Sequence, residues 1–503
     1  MRRTTLAMAS ALIVVGAGVA GCGKATEPAP PATPTAAASD AASQYGSTLQ
    51  RQITTDAMMT HLQKLQDIAN ANNGTRAVGT PGYEASVDYV AGELRAKGFD
   101  VQTPQFDLKV FDAEPGTVTI GDANFAARAL QYTVGTPAGV TGPLVPARVE
   151  DSPGCSPSDY DGLPVTGAVV LVDRGVCPFS QKLAAVTARG AVAMIVADNV
   201  DEKTMGGTLG QDTDVKIPVV SVTRADGAQL RGKSGPITVK ITASVRKIVA
   251  RNVIAQTKTG SPENVVMAGA HLDSVPEGPG INDNGSGVAA VLETALQMGS
   301  SPDVHNSVRF GFWGAEELGL VGSEKYVETL DVEQLRDIAL YLNFDMLASP
   351  NPGYFTYDGD QSTALGKGQA PPRVPEGSAG IERTLVGMLA AAGKTAQDAS
   401  FDGRSDYDGF AKAGVPAGGL FAGAEENMTP QQADLWGGQA NKPFDPNYHK
   451  ATDTLDHIDK TALGIQGSGV GYVVGVYAQD LGGRNGIPLR EDRTRHVVTA
   501  SQP

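Results

Sequence analysis

One stretch of the sequence places an imidazole between carboxylates in a way that suits metal binding. Residues 268–287 read AGAHLDSVPEGPGINDNGSG, an apolar run that ends in His271 and Asp273 and leads to Asp283 in a Gly/Asn-rich turn. The chain has only six histidines. Imidazole and carboxylate groups are common zinc ligands. Taken alone, however, a histidine after a strand is more often structural.

Similar groups recur further along the chain. Two more apolar runs end in GAEELG, which contains Glu316 and Glu317, and in NFDM, which contains Asp345. The late segment NYHKATDTLDHID adds Tyr448, His449 and Asp453. In open α/β sheets, binding sites form at the carboxyl ends of the strands. We therefore expect these side chains to converge on one edge of a sheet.

Several carboxylates at one edge repel each other unless cations lie among them. Two divalent ions that share a bridging carboxylate and a water form a hydrolytic centre, and bound zinc lowers the pKa of water towards ~7. Such a centre also needs one carboxylate that is free to move protons. The neighbouring Glu316 and Glu317 can divide these roles, because only one of them need bind metal.

The order of elements predicts an α/β fold. From about residue 248, apolar strands alternate with helical stretches, which indicates a mostly parallel sheet with helices on both faces. Residues 111–246 contain short Val-rich runs separated by Gly, Pro and Asp, which is typical of a β-rich module. A helix is predicted at about 83–97, and the polar tail after Gly483 is expected to be loose.

The N-terminus is predicted to be a targeting segment. Two arginines and a short apolar run precede VAGC, which resembles a bacterial lipobox cleaved just before Cys22, the residue that would take lipid. A plain secretory signal with an incidental cysteine is the alternative. The following residues are rich in Pro, Ala and Thr and are expected to form a flexible linker.

Charge and cysteine content narrow the class of protein. The formal net charge of −15 argues against nucleic acid or an anionic membrane surface as a partner, since both attract basic patches. The chain has three cysteines. If Cys22 carries lipid, Cys155 and Cys177 either pair in an oxidising compartment or remain as unpaired thiols.

Six separated motifs together resemble the secreted bacterial di-zinc aminopeptidases of the Streptomyces and Aeromonas type, in peptidase family M28. The resemblance spans about 230 residues in the order found in the family. It implies a phosphorylase/hydrolase-like α/β globule with a central mixed sheet. The motifs are HLDS, NDNGSG, GAEELGLVGS, NFDM, FDGRSDYDGFAKAGVPAGGLFAG and YHKATDTLDHID.

The resemblance assigns roles to individual residues. Asp283 would bridge two Zn²⁺ ions, with His271 and Asp345 on one and Glu317 and His449 on the other. Glu316 would be the general base and acid. The remaining roles are orientation of His271 by Asp273, oxyanion stabilisation by Tyr448 and substrate binding by Arg404. Unlike many relatives, the chain has no cysteines beside the last histidine.

A second resemblance concerns the β-rich module. CPFSQKLAAVTARGAVAMIVADN is similar to the protease-associated (PA) domain, an insert of several peptidase families. The similarity covers about 120 residues and implies a disulfide between Cys155 and Cys177. The expected organisation is a signal peptide at 1–21, a flexible tether at 22–45, a peptidase domain at 46–110 and 247–483, a PA insert at 111–246 and a loose tail at 484–503.

The sequence thus predicts a monomeric zinc aminopeptidase, anchored by lipid on the extracytoplasmic side of the cell membrane. It would remove N-terminal residues from peptides with a free N-terminus. The ammonium group of such a substrate is expected to find acidic partners in Glu316, Asp345, Asp402, Asp406 and Asp408. The alternatives are a related carboxypeptidase or amidase on the same scaffold, and a non-catalytic peptide-binding lipoprotein. The intact ligand set weighs against the latter. A serine hydrolase is poorly supported, because GRSDY lacks the last glycine of a nucleophile elbow.

Overall fold

The computed structural model describes residues 40–148, 154–200, 205–364, 371–482 and 486–499. The predicted signal peptide, Cys22 and most of the predicted tether lie outside the described residues. The α-helices are α1 (Asp40–Gln52), α2 (Thr55–Ala71), α3 (Pro81–Ala96), α4 (Phe179–Ala188), α5 (Arg224–Arg231), α6 (Gly287–Met298), α7 (Val321–Glu328), α8 (Val332–Asp337), α9 (Ser378–Ala391), α10 (Tyr407–Lys412), α11 (Pro430–Trp436), α12 (Lys460–Ala462) and α13 (Ser468–Gln479).

The strands fall into a central sheet, a two-stranded ladder and a barrel. They are β1 (Asp100–Gln102), β2 (Gln105–Ala113), β3 (Gly116–Ile120), β4 (Ala123–Ala129), β5 (Thr136–Pro146), β6 (Val169–Asp173), β7 (Ala193–Ala197), β8 (Val219–Val222), β9 (Pro236–Ile241), β10 (Ala243–Arg251), β11 (Val253–Gln256), β12 (Ser261–His271), β13 (Asn306–Trp313), β14 (Ile338–Phe344), β15 (Phe355–Tyr357), β16 (Gln397–Ala399) and β17 (Ala417–Phe421).

The central sheet has eight strands in the order β1-β11-β13-β12-β14-β17-β15-β16. Strands β13, β12, β14 and β17 are parallel, whereas β11 and β15 run antiparallel to their neighbours β13 and β17. Side chains alternate between two buried clusters: Ala268 and Ala270 of β12 face one, and Met267 faces the other. Burial on both faces explains the continuous apolar runs of the sequence. The predicted mixed α/β fold is confirmed.

A separate β-rich module interrupts the sequence of the α/β domain. Strands β3 to β9 close into a seven-stranded barrel that runs from Gly116 to Ile241. The barrel is joined to the rest of the protein by β2 and β10, which pair antiparallel along nine residues each. Cys155 and Cys177 form a disulfide within this module, with their Cα atoms 6.0 Å apart. The pairing expected from the PA resemblance is therefore present.

Helix α1 extends the folded part into the predicted tether. It packs along α13 so closely that a Cβ atom on Gly475 would lie 2.8 Å from the Cα of Gly46. Residues 40–45, which were predicted to belong to the tether, are therefore helical. The prolines that suggested a linker end at Pro34, and the apolar face of α1, with Ala42 and Leu49, is buried.

The prediction of a loose tail from residue 484 is wrong for residues 486–499. Arg495 is buried and donates hydrogen bonds to the carbonyl oxygens of Leu335, Ile338 and Gly414. Arg493 is also buried and donates to the carbonyl oxygen of Arg336. Long-range hydrogen bonds thus hold a segment whose polar composition suggested disorder.

In the part of the chain that the structure describes, no helix has both the length and the apolar character needed to cross a membrane.

We predict that Arg495→Met lowers the thermal unfolding temperature. The substitution keeps much of the side-chain volume but removes the arginine donor from buried carbonyl groups such as that of Gly414, at a cost of about 1–3 kcal/mol for each group left unsatisfied. The control is Arg490→Met, because Arg490 pairs with Glu333 and Asp337 at the surface and its loss should change the unfolding temperature little. Equal unfolding temperatures for Arg495→Met and the unmodified protein would restore the expectation of a loose tail.

Candidate metal centre

The predicted ligands meet at the carboxyl edge of the central sheet. His271 is the last residue of β12, and Asp345 directly follows β14. Glu316 and Glu317 lie three and four residues after the end of β13. Because β13, β12 and β14 are adjacent and parallel, their ends bring these groups together. His449 reaches the same place from the loop between α11 and α12.

Asp283 lies at the centre of the group, between the two histidines. Its Oδ1 atom is 3.1 Å from His271 Nε2, and its Oδ2 atom is 3.3 Å from His449 Nε2. On one side, His271 Nε2 is also 3.3 Å from Asp345 Oδ1. On the other side, His449 Nε2 is 3.0 Å from Glu317 Oε2. The carboxylate of Asp283 therefore faces two separate imidazole–carboxylate pairs, one through each oxygen.

These side chains fit divalent cations. The ligand atoms of His271, Glu316 and Asp345 lie within 4.8 Å of one another, and those of Asp283, Glu317 and His449 do so as well. Glu317 Oε1 and Asp345 Oδ1 are buried without a hydrogen-bond partner among the described residues, which is costly unless a cation compensates them. Nitrogen and oxygen donors without thiolates suit zinc.

The pKa values of these side chains also favour a bound cation. Burial, with the nearby Asp283, raises the pKa of Glu317 to about 7. Burial also raises the pKa of Glu316 well above its usual range. Burial lowers the pKa of His449, but hydrogen bonds with Asp283 and Glu317 outweigh it and raise the value to about 10. The side chains alone therefore retain protons, which a bound cation would displace, since metal ligands must be deprotonated.

Asp453 holds the turn that carries Asp283. Its two carboxylate oxygens accept hydrogen bonds from the backbone N–H groups of Asn282, at 2.8 Å, and Asp283, at 3.0 Å. Asp453 is buried and lies four residues after His449. It therefore links the segments that carry the central carboxylate and the second imidazole. The sequence marked Asp453 as a candidate but assigned it no role.

Arg76 is a positioning residue that sequence reasoning missed. It is fully buried in the loop between α2 and α3 and donates to the carbonyl oxygens of Leu272, Pro279 and Gly280. These carbonyls belong to the segment that connects His271 to the Asp283 turn. The only signal in the sequence was a basic residue in the Gly-rich stretch GTRAVGTPGY, which many surface loops share.

Asp273 contacts His271 differently from the prediction. His271 Nδ1 lies 3.1 Å from the backbone carbonyl oxygen of Asp273, whereas the Asp273 carboxylate is 3.8 Å away. The carboxylate instead accepts a hydrogen bond from the backbone N–H of Glu316 at 3.2 Å. The backbone of Asp273 thus orients the imidazole, and its side chain fixes the glutamate that was predicted to move protons.

Tyr448 and Arg404 form one wall of a cavity of about 690 Å³ that opens onto the candidate ligands. The Tyr448 ring stacks on His449 with centroids 3.8 Å apart, and its hydroxyl accepts a hydrogen bond from Arg404 at 3.4 Å. Arg404 also pairs with Glu425 at 3.1 Å and with Glu426 at 3.6 Å. The cavity is also lined by the aromatic side chains of Phe355, Phe421 and Phe444.

Of the three further acids expected near the substrate amine, the structure places only one on the cavity. Asp402 lines it. Asp406 is buried behind the site, and Asp408 points to Lys412, with which it forms an ion pair at 2.6 Å. The expectation is therefore wrong for Asp406 and Asp408. The i,i+4 spacing of Asp408 and Lys412 already favoured their pairing on a helix.

Comparisons with known proteins agree with this geometry. The sequence profile of peptidase family M28 matches residues 252–474, and that of the PA domain matches residues 140–230. The chain is 71% identical over 460 residues to the "Probable lipoprotein aminopeptidase LpqL" of Mycobacterium tuberculosis, covering 91% of this chain and 92% of that protein. It is 39% identical over 458 residues to "Leucine aminopeptidase 2" of Arthroderma otae, covering 90% and 89%.

Among solved structures, the chain resembles an aminopeptidase from Aneurinibacillus sp. strain AM-1. The TM-score is 0.70 and the identity 26%, with 86% of this chain and 96% of that chain covered. The sequence relatives are similar along nearly their whole length, and the fold agrees with that of the solved enzyme. The chain therefore belongs to peptidase family M28.

Proposed function

We propose that the protein is a zinc-dependent aminopeptidase that removes N-terminal residues from peptides outside the cytoplasm. The observation that carries this proposal is the placement of Asp283 between two imidazole–carboxylate pairs. The relatives' printed names as aminopeptidases support the reaction class. We propose two Zn²⁺ per chain, with Asp283 shared between them. The individual ligands are His271 and Asp345 for one ion and Glu317 and His449 for the other.

Bound zinc would supply an activated water and would polarise the scissile carbonyl. Glu316 would accept a proton from the attacking water and pass it to the leaving amine. Two features suit Glu316 to proton transfer: its carboxylate lies within the group, and its backbone N–H is held by Asp273. Glu316 therefore remains a base and acid in the proposal, although it lies close enough to His271 and Asp345 to approach an ion.

Tyr448 is proposed to stabilise the oxyanion that forms during the reaction. An arginine side chain can only donate hydrogen bonds. The Tyr448 hydroxyl must therefore accept from Arg404, and its own hydrogen is left to donate elsewhere. Because the hydroxyl belongs to a residue that lines the cavity, a substrate oxygen is the fitting acceptor.

Charge in the cavity favours recognition of an amine over a carboxylate. A carboxypeptidase needs a free arginine or similar group for the substrate's terminal carboxylate. Among the described residues that line the cavity, Arg404 is the one arginine or lysine, and its charge is already compensated by Glu425 and Glu426. Asp402 adds further negative charge to the same wall. A substrate ammonium group would be attracted here, and a carboxylate would be repelled.

The proposed location is the outer face of the cell membrane. One relative is named a lipoprotein aminopeptidase, and the motif VAGC ends in Cys22, the proposed lipidated residue. The Cys155–Cys177 disulfide suits an oxidising, extracytoplasmic compartment. We also propose that the enzyme is a monomer, with the PA insert bounded by residues 111 and 246.

Purified protein lacking the signal peptide should contain two zinc ions per chain. Removing them with a chelator should abolish activity and lower the thermal unfolding temperature, because metal binding favours the folded state. Asp283→Asn should bind much less zinc, since both ions depend on this carboxylate. Elemental analysis that finds no zinc, together with no gain of activity on adding it, would contradict the proposal.

Glu316→Gln should reduce kcat by ~10²–10⁴-fold while zinc content stays the same. The amide has nearly the same shape but cannot accept a proton at neutral pH. Glu324→Gln is the control, because Glu324 pairs with Lys412 outside the cavity, and its turnover should match the unmodified enzyme. A loss of less than tenfold in Glu316→Gln would move the proton-transfer role to another residue, with Asp273 the next candidate.

Leucine p-nitroanilide, which has a free amine, should be cleaved, and its N-acetylated form should not. Arg404→Ala should raise KM more than it lowers kcat, as expected for a residue that contributes to binding. The opposite substrate preference would identify a carboxypeptidase. In that case the enzyme would release the C-terminal residue from an N-acylated peptide and leave the free-amine anilides intact.

A further inference from the structure

A continuous chain of side-chain hydrogen bonds leads from the core of the sheet to one proposed ligand. Trp313 Nε1 is 2.8 Å from the Tyr341 hydroxyl, which is 3.2 Å from Asn343 Oδ1. Asn343 Nδ2 is 2.8 Å from Ser405 Oγ, which is 2.7 Å from Asp345 Oδ2. We call Trp313, Tyr341, Asn343 and Ser405 the donor chain.

The chemistry of its two ends fixes the direction of the donor chain. An indole N–H can only donate, so Tyr341 accepts from Trp313 and donates its own hydrogen to Asn343. At the other end, an ionised carboxylate can only accept, so Ser405 donates to Asp345 and must itself accept from Asn343. The serine end therefore requires the Asn343 amide nitrogen to face Ser405, and the amide oxygen is then the acceptor for the Tyr341 hydrogen.

The surroundings leave the donor chain little freedom. All four side chains are buried, from 0% exposure for Trp313 and Tyr341 to 6% for Ser405. The Tyr341 ring stacks on Phe410 with centroids 3.9 Å apart and planes 6° apart. Water cannot readily replace a broken link at such positions. The Tyr357 hydroxyl, 3.4 Å from Asn343 Nδ2, is a further and more distant partner of that amide.

We propose that the donor chain fixes Asp345 as a ligand through one oxygen, and that Trp313, Tyr341, Asn343 and Ser405 are positioning residues for this metal site. Ser405 donates a hydrogen bond to Oδ2 of Asp345. The other oxygen, Oδ1, is buried without a hydrogen-bond partner among the described residues and lies 3.3 Å from His271 Nε2. The free oxygen is thus the one that faces the other ligand. This inference rests on the zinc binding proposed above.

Among the described residues, no equivalent chain of hydrogen bonds supports the carboxylate of the second proposed site. The side chain of Glu317 contacts His449 through Oε2, and its Oε1 has no hydrogen-bond partner in the described part of the chain. The two sites therefore differ in how firmly their carboxylate is held. Changes in the donor chain should act on the zinc held by His271 and Asp345 and leave the other zinc unaffected.

The test is a zinc titration of the purified, metal-free protein against a competing chromophoric chelator, which reports two binding constants without using activity. Ser405→Ala should lower the binding affinity for one of the two zinc ions by ~10–100-fold, the usual effect of removing a group that orients a metal ligand. Ser405→Thr keeps the hydroxyl and should restore most of the affinity. Tyr341→Phe should weaken the same zinc by a smaller factor, because the Asn343 amide can then turn its oxygen to Ser405 and compete for the serine hydrogen.

Matched controls remove the same groups elsewhere. Ser86→Ala deletes a buried hydroxyl bonded to the carbonyl of Gly82, and Tyr160→Phe deletes a buried hydroxyl bonded to Gly154 in the barrel. Neither should change zinc affinity.

An unmodified protein that binds no zinc overturns the proposed function itself. Two zincs in the unmodified protein with unchanged affinity in Ser405→Ala overturn only the donor chain, and a loss in Ser405→Ala with none in Tyr341→Phe overturns the part assigned to Tyr341 and Trp313.

Discussion

Mutual repulsion between buried carboxylates is the constraint on which the site depends. Asp283 and Glu317 are crowded at one sheet edge, and the pKa of Glu317 is raised to about 7 by burial and by Asp283. Protein cations offset part of this charge. Burial lowers the pKa of Arg76 to about 10, although Asp273 and Asp453 oppose the shift, and the guanidinium remains charged at neutral pH. Arg76 thus has both a structural and an electrostatic role. The divalent ions that we propose would neutralise the remaining negative charge of the carboxylates.

The elements around the site fix the positions of these charged side chains. Parallel strands supply His271 and Asp345 at fixed spacing, because neighbouring strands lie ~4.8 Å apart. The turn that carries Asp283 has no strand to hold it and depends instead on side-chain hydrogen bonds to Asp453 and on the clamp by Arg76. Regular structure places the first group of ligands, and specific side chains place the central one.

The sequence predicted the fold class and the set of convergent residues, because these follow from local patterns: apolar runs that end in His271 or Asp345. It missed Arg76 and Ser405, because their roles arise from hydrogen bonds to segments far away in the chain, which no local pattern reports. The loose tail was predicted wrongly for the same reason, since Arg495 is held by distant carbonyls. The error for Asp408 was avoidable, because its partner lies four residues ahead.

The place where the described chain begins has a geometric consequence. Ala42 of α1 packs on Val476 near the end of α13, and Tyr477 of that helix accepts a hydrogen bond from Asn306, the first residue of β13. The proposed metal centre lies beyond the opposite end of β13, which at ~3.3 Å per residue is roughly 25 Å away. The chain thus enters the described fold at the end of β13 that lies away from the proposed ligands. A segment that precedes α1 can therefore be attached to the protein without crossing the cavity, and the proposed ligands stay open to substrate whatever the N-terminus is bound to.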